Sequence, residues 1–489
     1  MSATEKPQRR QRPGPERQFV NRVDELNLVK SKLDRGIRGE QMPSAVVCFW
    51  GAYGMGKSWL LFRLEDLCKN GGPHEDWSPP GPVSHPTVTA RLDLDREIRI
   101  TYWQGSRLNC TQLIRELWKQ LAEQLRDQVP EDLEQASPDE WAGRFVEQVV
   151  AWSAQFVTPV IMLDTLDDLV LWDESSFFWL EQQLVERLAL ADRVLFVFTS
   201  RGELRRWKRF QVRRRVDSHR LMAFDPEHAG EEVKASPAMS RALYQHSFGH
   251  PLVTEFLGTA LEKRGISLQQ ADVTEQIIDR ELVHDILKEV VDKILQELPP
   301  DPHNLVAKLA LPASVLRWVS VEPLRALAEG LHLVEPGWGD AFYLDKIGQL
   351  QAHHLLYWNL NRNSYEPDPV LRRLLAYALE LDDHELFCSA HQVAYNFHHD
   401  HLHDYPTYLD RYVPELAYHH AILARHRRPP QPSLWEWWDQ FAAQAPAAAE
   451  PWTELIDALD QDEELKGLSP KDYDRLLSEA RRQANEPTH

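Results

Sequence analysis

One segment of the chain, Gly51-Ala-Tyr-Gly-Met-Gly-Lys-Ser58, restricts the possible folds more than any other segment. The apolar run AVVCFW at 45–50 precedes it, and the amphipathic run SWLLFRLEDLCKN at 58–70 follows it. Glycines, a lysine and a serine at this spacing, between a strand and a helix, are typical of a loop that wraps a phosphate group. An incidental glycine-rich turn would not explain the flanking elements. The segment therefore predicts a phosphate-binding loop, or P-loop, in an α/β domain.

The residues of this loop have separate expected roles. The glycines let backbone N–H groups point at a phosphate, Lys57 reaches the β- and γ-phosphates, and the Ser58 hydroxyl binds Mg²⁺. The amino end of the following helix adds positive potential at the same place. The predicted nucleotide contacts in and beside the loop are Gly51, Tyr53, Gly54, Met55, Gly56, Lys57, Ser58 and Trp59.

Short apolar runs alternate with amphipathic stretches over the first half of the chain. Near-continuous apolar strands separated by helices indicate a parallel sheet that is covered on both faces. We therefore predict an α/β P-loop NTPase core with a parallel five-stranded sheet. The five predicted strands are AVVCFW at 45–50, VTARLDLD at 88–95, PVIMLD at 159–164, RVLFVFTS at 193–200 and HRLMAF at 219–224.

Two of these predicted strands end in polar residues with possible chemical roles. Asp164 ends the third strand, where a carboxylate can hold Mg²⁺ through water at the carboxyl edge of the sheet. Asp167 or Asp168 can then polarise the attacking water. The simpler alternative is a solvated acidic loop after a core strand. Arg201 follows the fourth strand, where a cation can sense the γ-phosphate.

The chain beyond the sheet is mainly helical. Residues 18–224 form the predicted ATPase core, after a basic and disordered tail at 1–17. Helical periodicity predicts a lid at 225–299, and three helices with two short strand-like runs predict a winged-helix domain at 300–381. The remaining predicted segments are a helical domain at 382–427 and a linker with an acidic helical tail at 428–489.

Four short motifs accompany the P-loop in a fixed order. FVNRVDEL at 19–26 resembles an FVGRxxEL motif, LDTLDDL at 163–169 an hhhDGxDE form of Walker B, FTSR at 198–201 a sensor motif, and GHPL at 249–252 a GxP lid motif. With the loop they cover about residues 18–260. Together they resemble the STAND class of P-loop ATPases, which is NACHT- and NB-ARC-like and related to AAA+ proteins.

The resemblance implies roles for further residues. Val20 and Arg22 would lie beside the adenine and ribose, Pro251 would close over the base, and Arg201 would sense the γ-phosphate. It also implies ATP or ADP with Mg²⁺, bound between the α/β core and the helical lid.

The chain departs from the family pattern at three positions. Asn21 and Thr165 stand where the family has glycine, and Asp168 stands where it has glutamate. Since the aspartate side chain is shorter, it can fail to reach the water that a glutamate would orient. We therefore expect ATP binding with slow, regulatory hydrolysis.

The chain as a whole is acidic, with 55 Lys and Arg residues against 75 Asp and Glu residues and a formal net charge of −20. Such a molecule repels nucleic acid and anionic membranes, so contact with either has to be local. No apolar run approaches the ~20 residues that a membrane helix needs, and the four cysteines form no CxxC pair. We expect no membrane contact and a reducing, cytoplasmic compartment.

Two local features could bind other ligands. Residues 203–220 carry eight Lys and Arg residues against two acidic residues, which suits nucleic acid, an acidic partner, a neighbouring protomer's nucleotide, or acidic faces of the same protein. The run FHHDHLHDY contains His398, His399, His401 and His403. On a helix, His399 and His403 could share a metal, but no third ligand can be assigned, and structural or surface histidines are the simpler interpretation.

These features together predict an ATP-binding and ATP-hydrolysing molecular switch of the STAND type, which controls the assembly or activity of a partner effector in signalling or defence. We expect a nucleotide-dependent homo-oligomer. We also expect a protein effector or sensor in trans, because the chain contains neither at recognisable length. One alternative is an origin-recognition-like or transcriptional ATPase that binds duplex DNA through its winged helix. Another is a scaffold with locked nucleotide and no useful turnover.

Overall fold

A computed structural model gives the structure of most of the chain. The predicted tail at 1–17 and the predicted contact Val20 lie outside the described residues. The described chain divides into two compact units, 1–278 and 279–489. The structure describes residues 22–38, 40–42, 44–70, 87–95, 102–105, 107–130, 136–155, 157–191, 194–270, 277–296, 298, 305–359, 362–430, 433–442 and 449–485.

The first unit is an α/β unit. Its strands are β1 (Val46–Trp50), β2 (Thr87–Asp93), β3 (Trp103–Gln104), β4 (Arg107–Leu108), β5 (Thr158–Asp164), β6 (Leu195–Ser200) and β7 (Val216–Arg220). Its helices are α1 (Val23–Ile37), α2 (Lys57–Asn70), α3 (Cys110–Leu125), α4 (Pro138–Ala154), α5 (Asp167–Trp172), α6 (Glu174–Leu180), α7 (Glu186–Ala189), α8 (Phe210–Arg213), α9 (Pro226–Glu232), α10 (Pro237–Ser247) and α11 (Pro251–Lys263). A π-helical turn at Glu181–Val185 joins α6 to α7.

The main sheet is parallel and five-stranded, which confirms the predicted core. Its strand order is β2-β5-β6-β1-β7, and every neighbouring pair is parallel. The fifth strand differs from the prediction, because it begins at Val216 and ends at Arg220 rather than running over 219–224. Residues after Arg220 leave the sheet and lead to the α-helices that follow.

The two faces of this sheet bury two separate apolar clusters. Val46 and Cys48 of β1 face one cluster, which also contains side chains of α3 and α4. Val47 and Phe49 face the other, which contains side chains of α1 and α2. Alternate residues of a strand point to opposite faces, so β1 is apolar at successive positions because both faces are covered.

The helices that follow the sheet start in a common way. Each of α9, α10 and α11 has proline at its first position, where the missing N–H costs nothing. The preceding residues Asp225, Ser236 and His250 each cap their helix with a side-chain acceptor. Local sequence therefore determines where these three helices begin.

The second unit is mainly helical. Its elements are α12 (Arg280–Gln296), α13 (Leu305–Ala313), α14 (Val321–Gly330), α15 (Asp340–Ala352), β8 (Leu356–Asn359), β9 (Ser364–Pro367), α16 (Pro369–Asp382), α17 (His384–Asp404), α18 (Leu409–Arg425), α19 (Leu434–Ala442), α20 (Ala449–Asp460), α21 (Glu463–Leu468) and α22 (Pro470–Asn485). The β8–β9 hairpin is antiparallel, and Val319 forms an isolated bridge to Tyr365. The winged-helix boundaries stay a prediction.

One helix packs differently from the sequence-based division. The prediction placed α12 in the lid, but α12 belongs to the second unit. It packs against α16, where Arg280 forms an ion pair with Glu380 at 2.9 Å. Its buried stripe of Leu, Val and Ile side chains explains this position, since such a stripe needs an apolar partner.

Two buried arginines connect elements of the second unit. Arg317 donates hydrogen bonds to Glu415 at 3.0 Å and to Asp462 at 2.7 Å. Arg372 donates to the Tyr418 hydroxyl at 3.0 Å and to Glu464. Buried charges persist only when paired, so these contacts fix α16, α18 and α21 together.

Among the described residues, no helix is both long and apolar enough to cross a membrane.

Candidate nucleotide-binding site

The glycine-rich loop lies at the carboxyl end of β1, between β1 and α2. Gly54 and Gly56 have φ angles of +76° and +83°, a backbone conformation that glycine adopts at little cost. The Gly51 N–H donates to the Ser200 carbonyl at 3.2 Å, so the loop begins as a continuation of the β1–β6 pairing. The predicted strand, loop and helix are all present.

Lys57 and Ser58 occupy the first turn of α2. The Lys57 ammonium donates to the carbonyl oxygens of Gly51 at 2.7 Å and Ala52 at 2.8 Å. It therefore lies across the loop itself. The Ser58 hydroxyl makes no hydrogen bond within the described part of the chain. Trp59, also predicted to contact the nucleotide, follows on α2 and is half-buried.

The start of α11 is hydrogen-bonded to the loop backbone. His250 Nε2 lies 2.7 Å from the Tyr53 carbonyl oxygen, and its Nδ1 accepts from the Val253 N–H at 3.4 Å. Because Nδ1 is the acceptor, the proton is on Nε2 and donates to Tyr53. The Leu252 N–H also donates to the Gly54 carbonyl at 3.3 Å. The sequence analysis selected Pro251 and missed His250, although a histidine in an N-cap position was a usable signal.

Close packing explains why position 54 is glycine. A Cβ atom built on Gly54 would lie 2.4 Å from His250 Cε1. A Cβ atom on Gly249 would overlap the Phe224 carbonyl oxygen. The Phe224 N–H donates to the Gly249 carbonyl at 2.8 Å. Both glycines permit backbone approach between the loop, the segment after β7, and α11.

Arg22 also contacts the loop. Its guanidinium donates to the Met55 carbonyl at 3.1 Å and to the Met222 carbonyl at 2.9 Å, and it lies 5.3 Å from the Phe224 ring centroid. Burial lowers the pKa of this guanidinium, and Glu25 opposes that shift. Arg22 thus connects the loop to the segment that leads from the sheet to α9. Its predicted contact with adenine or ribose, like that of Pro251, stays a prediction.

Asp164 ends β5 and is 2% exposed. It accepts a hydrogen bond from the Thr199 hydroxyl, which accepts from the Thr165 N–H at 3.2 Å. Thr165 has φ of +58°, a left-handed conformation that is unfavourable for a β-branched residue. This position is where the resembling family has glycine, so the backbone conformation fits glycine although the residue does not.

Asp167, Asp168 and Arg201 form one ion-pair cluster. The Arg201 N–H donates to Asp167 Oδ1 at 3.1 Å, its Nε donates to Asp167 Oδ2 at 2.6 Å, and its Nη2 donates to Asp168. The sequence analysis assigned these residues separate roles and did not predict their pairing. Their catalytic roles stay predictions.

The strand order brings these groups to one edge of the sheet. Strand β6 lies between β1 and β5, and Ser200 is in register with Trp50. Arg201 therefore follows β6 beside the start of the loop, and Asp164 lies one strand further along. A glycine-rich loop after one strand of a parallel sheet, with an aspartate at the end of a nearby strand, is the arrangement by which such sheets bind nucleotides. The fold is that of a P-loop NTPase core.

No protein-family model and no curated protein matches this chain. It is similar to a Walker-type ATPase of Pyrococcus abyssi, at 13% identity over 73% of this chain and 96% of that chain, with a TM-score of 0.49. It is also similar to the Aeropyrum pernix ORC2 protein in ADPNP–ADP complexes, at 13% identity over 75% and 96%, with a TM-score of 0.45. The Aeropyrum pernix ORC1 protein in complex with DNA is 17% identical over 75% and 95%, with a TM-score of 0.38. At such low sequence identities, the similarity concerns the fold alone.

Among the described residues, the histidines His399 and His403 of the predicted pair belong to no group of three residues that could hold a metal ion. His403 is 83% exposed and lies beside Asp404, while His399 lies beside Asp400. His398 instead faces α18, where it lies near Glu415 and His419. The helix α17 thus turns the adjacent residues His398 and His399 to different faces.

Proposed function

We propose that this chain is a Mg²⁺-dependent ATPase in which the γ-phosphate of ATP changes the position of the lid. The lid is the segment 225–270, which contains α9, α10 and α11. The observation that carries the proposal is the pair of hydrogen bonds from His250 and Leu252 to the loop carbonyls. Because the loop that would hold phosphate also holds the lid, a change in one is transmitted to the other.

Phosphate binding would compete with contacts that the protein now makes. Lys57 donates to two carbonyls of its own loop, and a β- or γ-phosphate would draw its ammonium away from them. Arg201 is held by Asp167 and Asp168, and a γ-phosphate would compete for the same guanidinium. The competition for Arg201 depends on the γ-phosphate and therefore distinguishes ATP from ADP, which is what a nucleotide switch requires.

The proposed metal site uses Ser58 and Asp164, with the attacking water oriented by Asp167 or Asp168. Ser58 offers a hydroxyl at the start of α2, and Asp164 offers a buried carboxylate at the same edge of the sheet. An alcohol oxygen and a carboxylate are hard oxygen donors of the kind Mg²⁺ takes together with phosphate oxygens and water. These residues fit a magnesium nucleotide.

The test combines nucleotide binding with hydrolysis. Lys57→Ala should abolish ATP binding measured by calorimetry and the release of phosphate, because its ammonium supplies the charge contact with the β- and γ-phosphates. Lys69→Ala is the matched control. Lys69 lies near the carboxyl end of the same helix, away from the loop, and forms an ion pair with Glu65. Equal ATP affinity in both variants and the wild type would refute the proposed site.

We propose that the partner of this switch is a protein effector or sensor in trans. The exposed surface at the start of α15 supports a protein partner. Trp338, just before the helix, and Leu344, within it, are 52% and 53% exposed in a stretch of sequence that also carries Asp340 and Asp345. Apolar side chains among carboxylates suit another protein rather than a phosphate backbone. Capture of one partner with ATP but not with ADP, lost in Trp338→Ser, is the expected result.

Duplex DNA is a second candidate partner because of one local feature. Arg213 and Arg214 are exposed and have no ion pair among the described residues, whereas Arg205 and Arg206 pair with Glu203 and Glu174. If DNA binds, neutralising Arg213 and Arg214 should reduce the slope of log affinity against log salt by about one per lost phosphate contact. Neutralising Arg205 and Arg206 is the matched control.

A further inference from the structure

Three potential metal ligands meet at one end of a helical hairpin in the second unit. His384 is the first residue of α17, Cys388 lies one helical turn later, and His426 directly follows α18. We call these three residues the His–Cys cluster. The two helices pack against each other and are joined by residues 405–408 at their other end. The cluster therefore joins the open end of the hairpin.

The distances in the cluster match the reach of one metal ion. His384 Nε2 lies 2.9 Å from His426 Nδ1, and Cys388 Sγ lies 3.8 Å from His384 Nε2. Zinc bonds of about 2.0–2.1 Å to nitrogen and about 2.3 Å to sulfur can span up to about 4.1 Å between nitrogens and about 4.4 Å between nitrogen and sulfur. Both separations lie within these limits, and the ligand atoms of all three residues lie within 4.8 Å of one another.

We propose that the His–Cys cluster binds a zinc ion through two imidazoles and one thiolate, with a fourth position for water or another ligand. Thiolate with imidazole is a donor set that selects zinc over magnesium or calcium. Both histidines are half-buried, so one side of the site can admit an ion and a fourth ligand. Three protein ligands with one open position are a known zinc arrangement.

The chemistry of the thiol is compatible with this assignment. Burial raises the pKa of Cys388, while Arg428 opposes that shift. Zinc would replace the thiol proton, which leaves to solvent as the Zn–S bond forms. Arg428 itself is held by Glu385 through two hydrogen bonds of 2.6 and 2.5 Å, so its charge is already balanced beside the site.

A second group in the same hairpin is the competing location. His398, Glu415 and His419 converge between α17 and α18 and are buried. Glu415 accepts a hydrogen bond from Arg317 at 3.0 Å. A metal ion there would therefore compete with the Arg317 guanidinium for the Glu415 carboxylate. Unpartnered buried nitrogens of His398 and His419 can instead be satisfied by water. The ion is therefore assigned to the His–Cys cluster.

The test uses the full chain after chelation, with Co²⁺ and Zn²⁺ as probes. Cobalt should give a thiolate-to-metal absorption band and bind at one ion per chain by elemental analysis. The band should disappear in Cys388→Ser and remain in His398→Gln and in Cys68→Ser. Zinc should displace the cobalt and protect one thiol from alkylation in the wild type.

A variant with a milder change covers the case in which Cys388→Ser unfolds the hairpin. His384→Gln alters a half-buried residue, and its metal-free melting temperature should match that of the metal-free wild type. Zinc should raise the melting temperature of the wild type only. Absence of bound metal, cobalt binding without the thiolate band, or loss of the band in His398→Gln would overturn the assignment. The ATPase proposal does not depend on this result.

Discussion

At the scale of single residues, the contact between Gly54 and His250 is the most sensitive part of the candidate site. The histidine ring occupies the space that a side chain at position 54 would need. Its hydrogen bond to the Tyr53 carbonyl requires the loop to keep this conformation. A single glycine thus permits both the loop and the lid contact.

We expect Gly54→Ala to destabilise the nucleotide-free protein by more than Gly56→Ala does. Both alanines would have a left-handed φ, which costs about 1–2 kcal/mol, but nothing lies within 4 Å of a Cβ at Gly56. Only Gly54→Ala meets His250. The free energy of unfolding measures the difference.

His250→Ala provides the coupling test for this contact. In that background the difference between the two glycine variants should become smaller without vanishing, since the ring is gone but Leu252 Cβ still lies 2.9 Å from a Cβ at position 54. A difference of undiminished size without His250 would show that the ring contact is not its cause.

Thr165 has a backbone conformation that does not suit its β-branched side chain. Its φ of +58° suits glycine, so Thr165→Gly should stabilise the protein by about 1 kcal/mol after the entropy cost of glycine is subtracted. Thr165→Ala is the control, because it removes the branched side chain but keeps the unfavourable φ. An unfolding free energy that rises equally in both variants would contradict the backbone explanation.

At the scale of elements, two ion pairs of Arg201 connect the end of β6 to the start of α5. Arg201 follows β6 and holds Asp167 and Asp168, the first two residues of α5. Asp167 is 1% exposed, so its charge depends on partners within the protein. The pairing therefore holds the start of α5 at the end of β6.

We expect Arg201→Gln to destabilise the protein by about 3–5 kcal/mol, because it leaves the buried Asp167 without this cation. The double variant Arg201→Gln with Asp167→Asn should lose less, since the most buried carboxylate of the cluster is then neutral and only Asp168 keeps a charge that Arg201 had balanced. Arg206→Gln is the control, because Arg206 and Glu174 are 64% and 48% exposed and exposed pairs contribute little. If the losses of unfolding free energy in the two single variants simply added up in the double variant, the pairing of Arg201 with Asp167 would be contradicted.

Element boundaries show where local pattern fails. The apolar run at 219–224 continues beyond β7, yet the strand ends at Arg220. Phe224 instead pairs its N–H with the Gly249 carbonyl. Leu221 and Phe224 of this run are buried, although Met222 is 63% exposed. Burial against the lid and burial in a strand look alike in a short apolar run.

At the scale of the whole molecule, the proposed switch makes assembly depend on nucleotide. We expect light scattering to show a larger mass with ATP or a non-hydrolysable analogue than with ADP, because the γ-phosphate competes for Lys57 and Arg201. Lys57→Ala should keep one mass in every nucleotide. The same mass for the wild type in all states would remove homo-oligomerisation from the proposal and leave ATP turnover to be judged by phosphate release.

The sequence by itself determined the P-loop, the parallel sheet and the helical character of the segment that follows the sheet, because these depend on short-range patterns of glycine, proline and apolar residues. Only the tertiary structure decided which polar groups meet. His250 and Tyr53 are 197 residues apart in the chain, and Arg201 reaches Asp167 across 34 residues. His384 and His426 meet because two helices pack side by side. Such contacts depend on the packing of whole elements, which local periodicity does not encode.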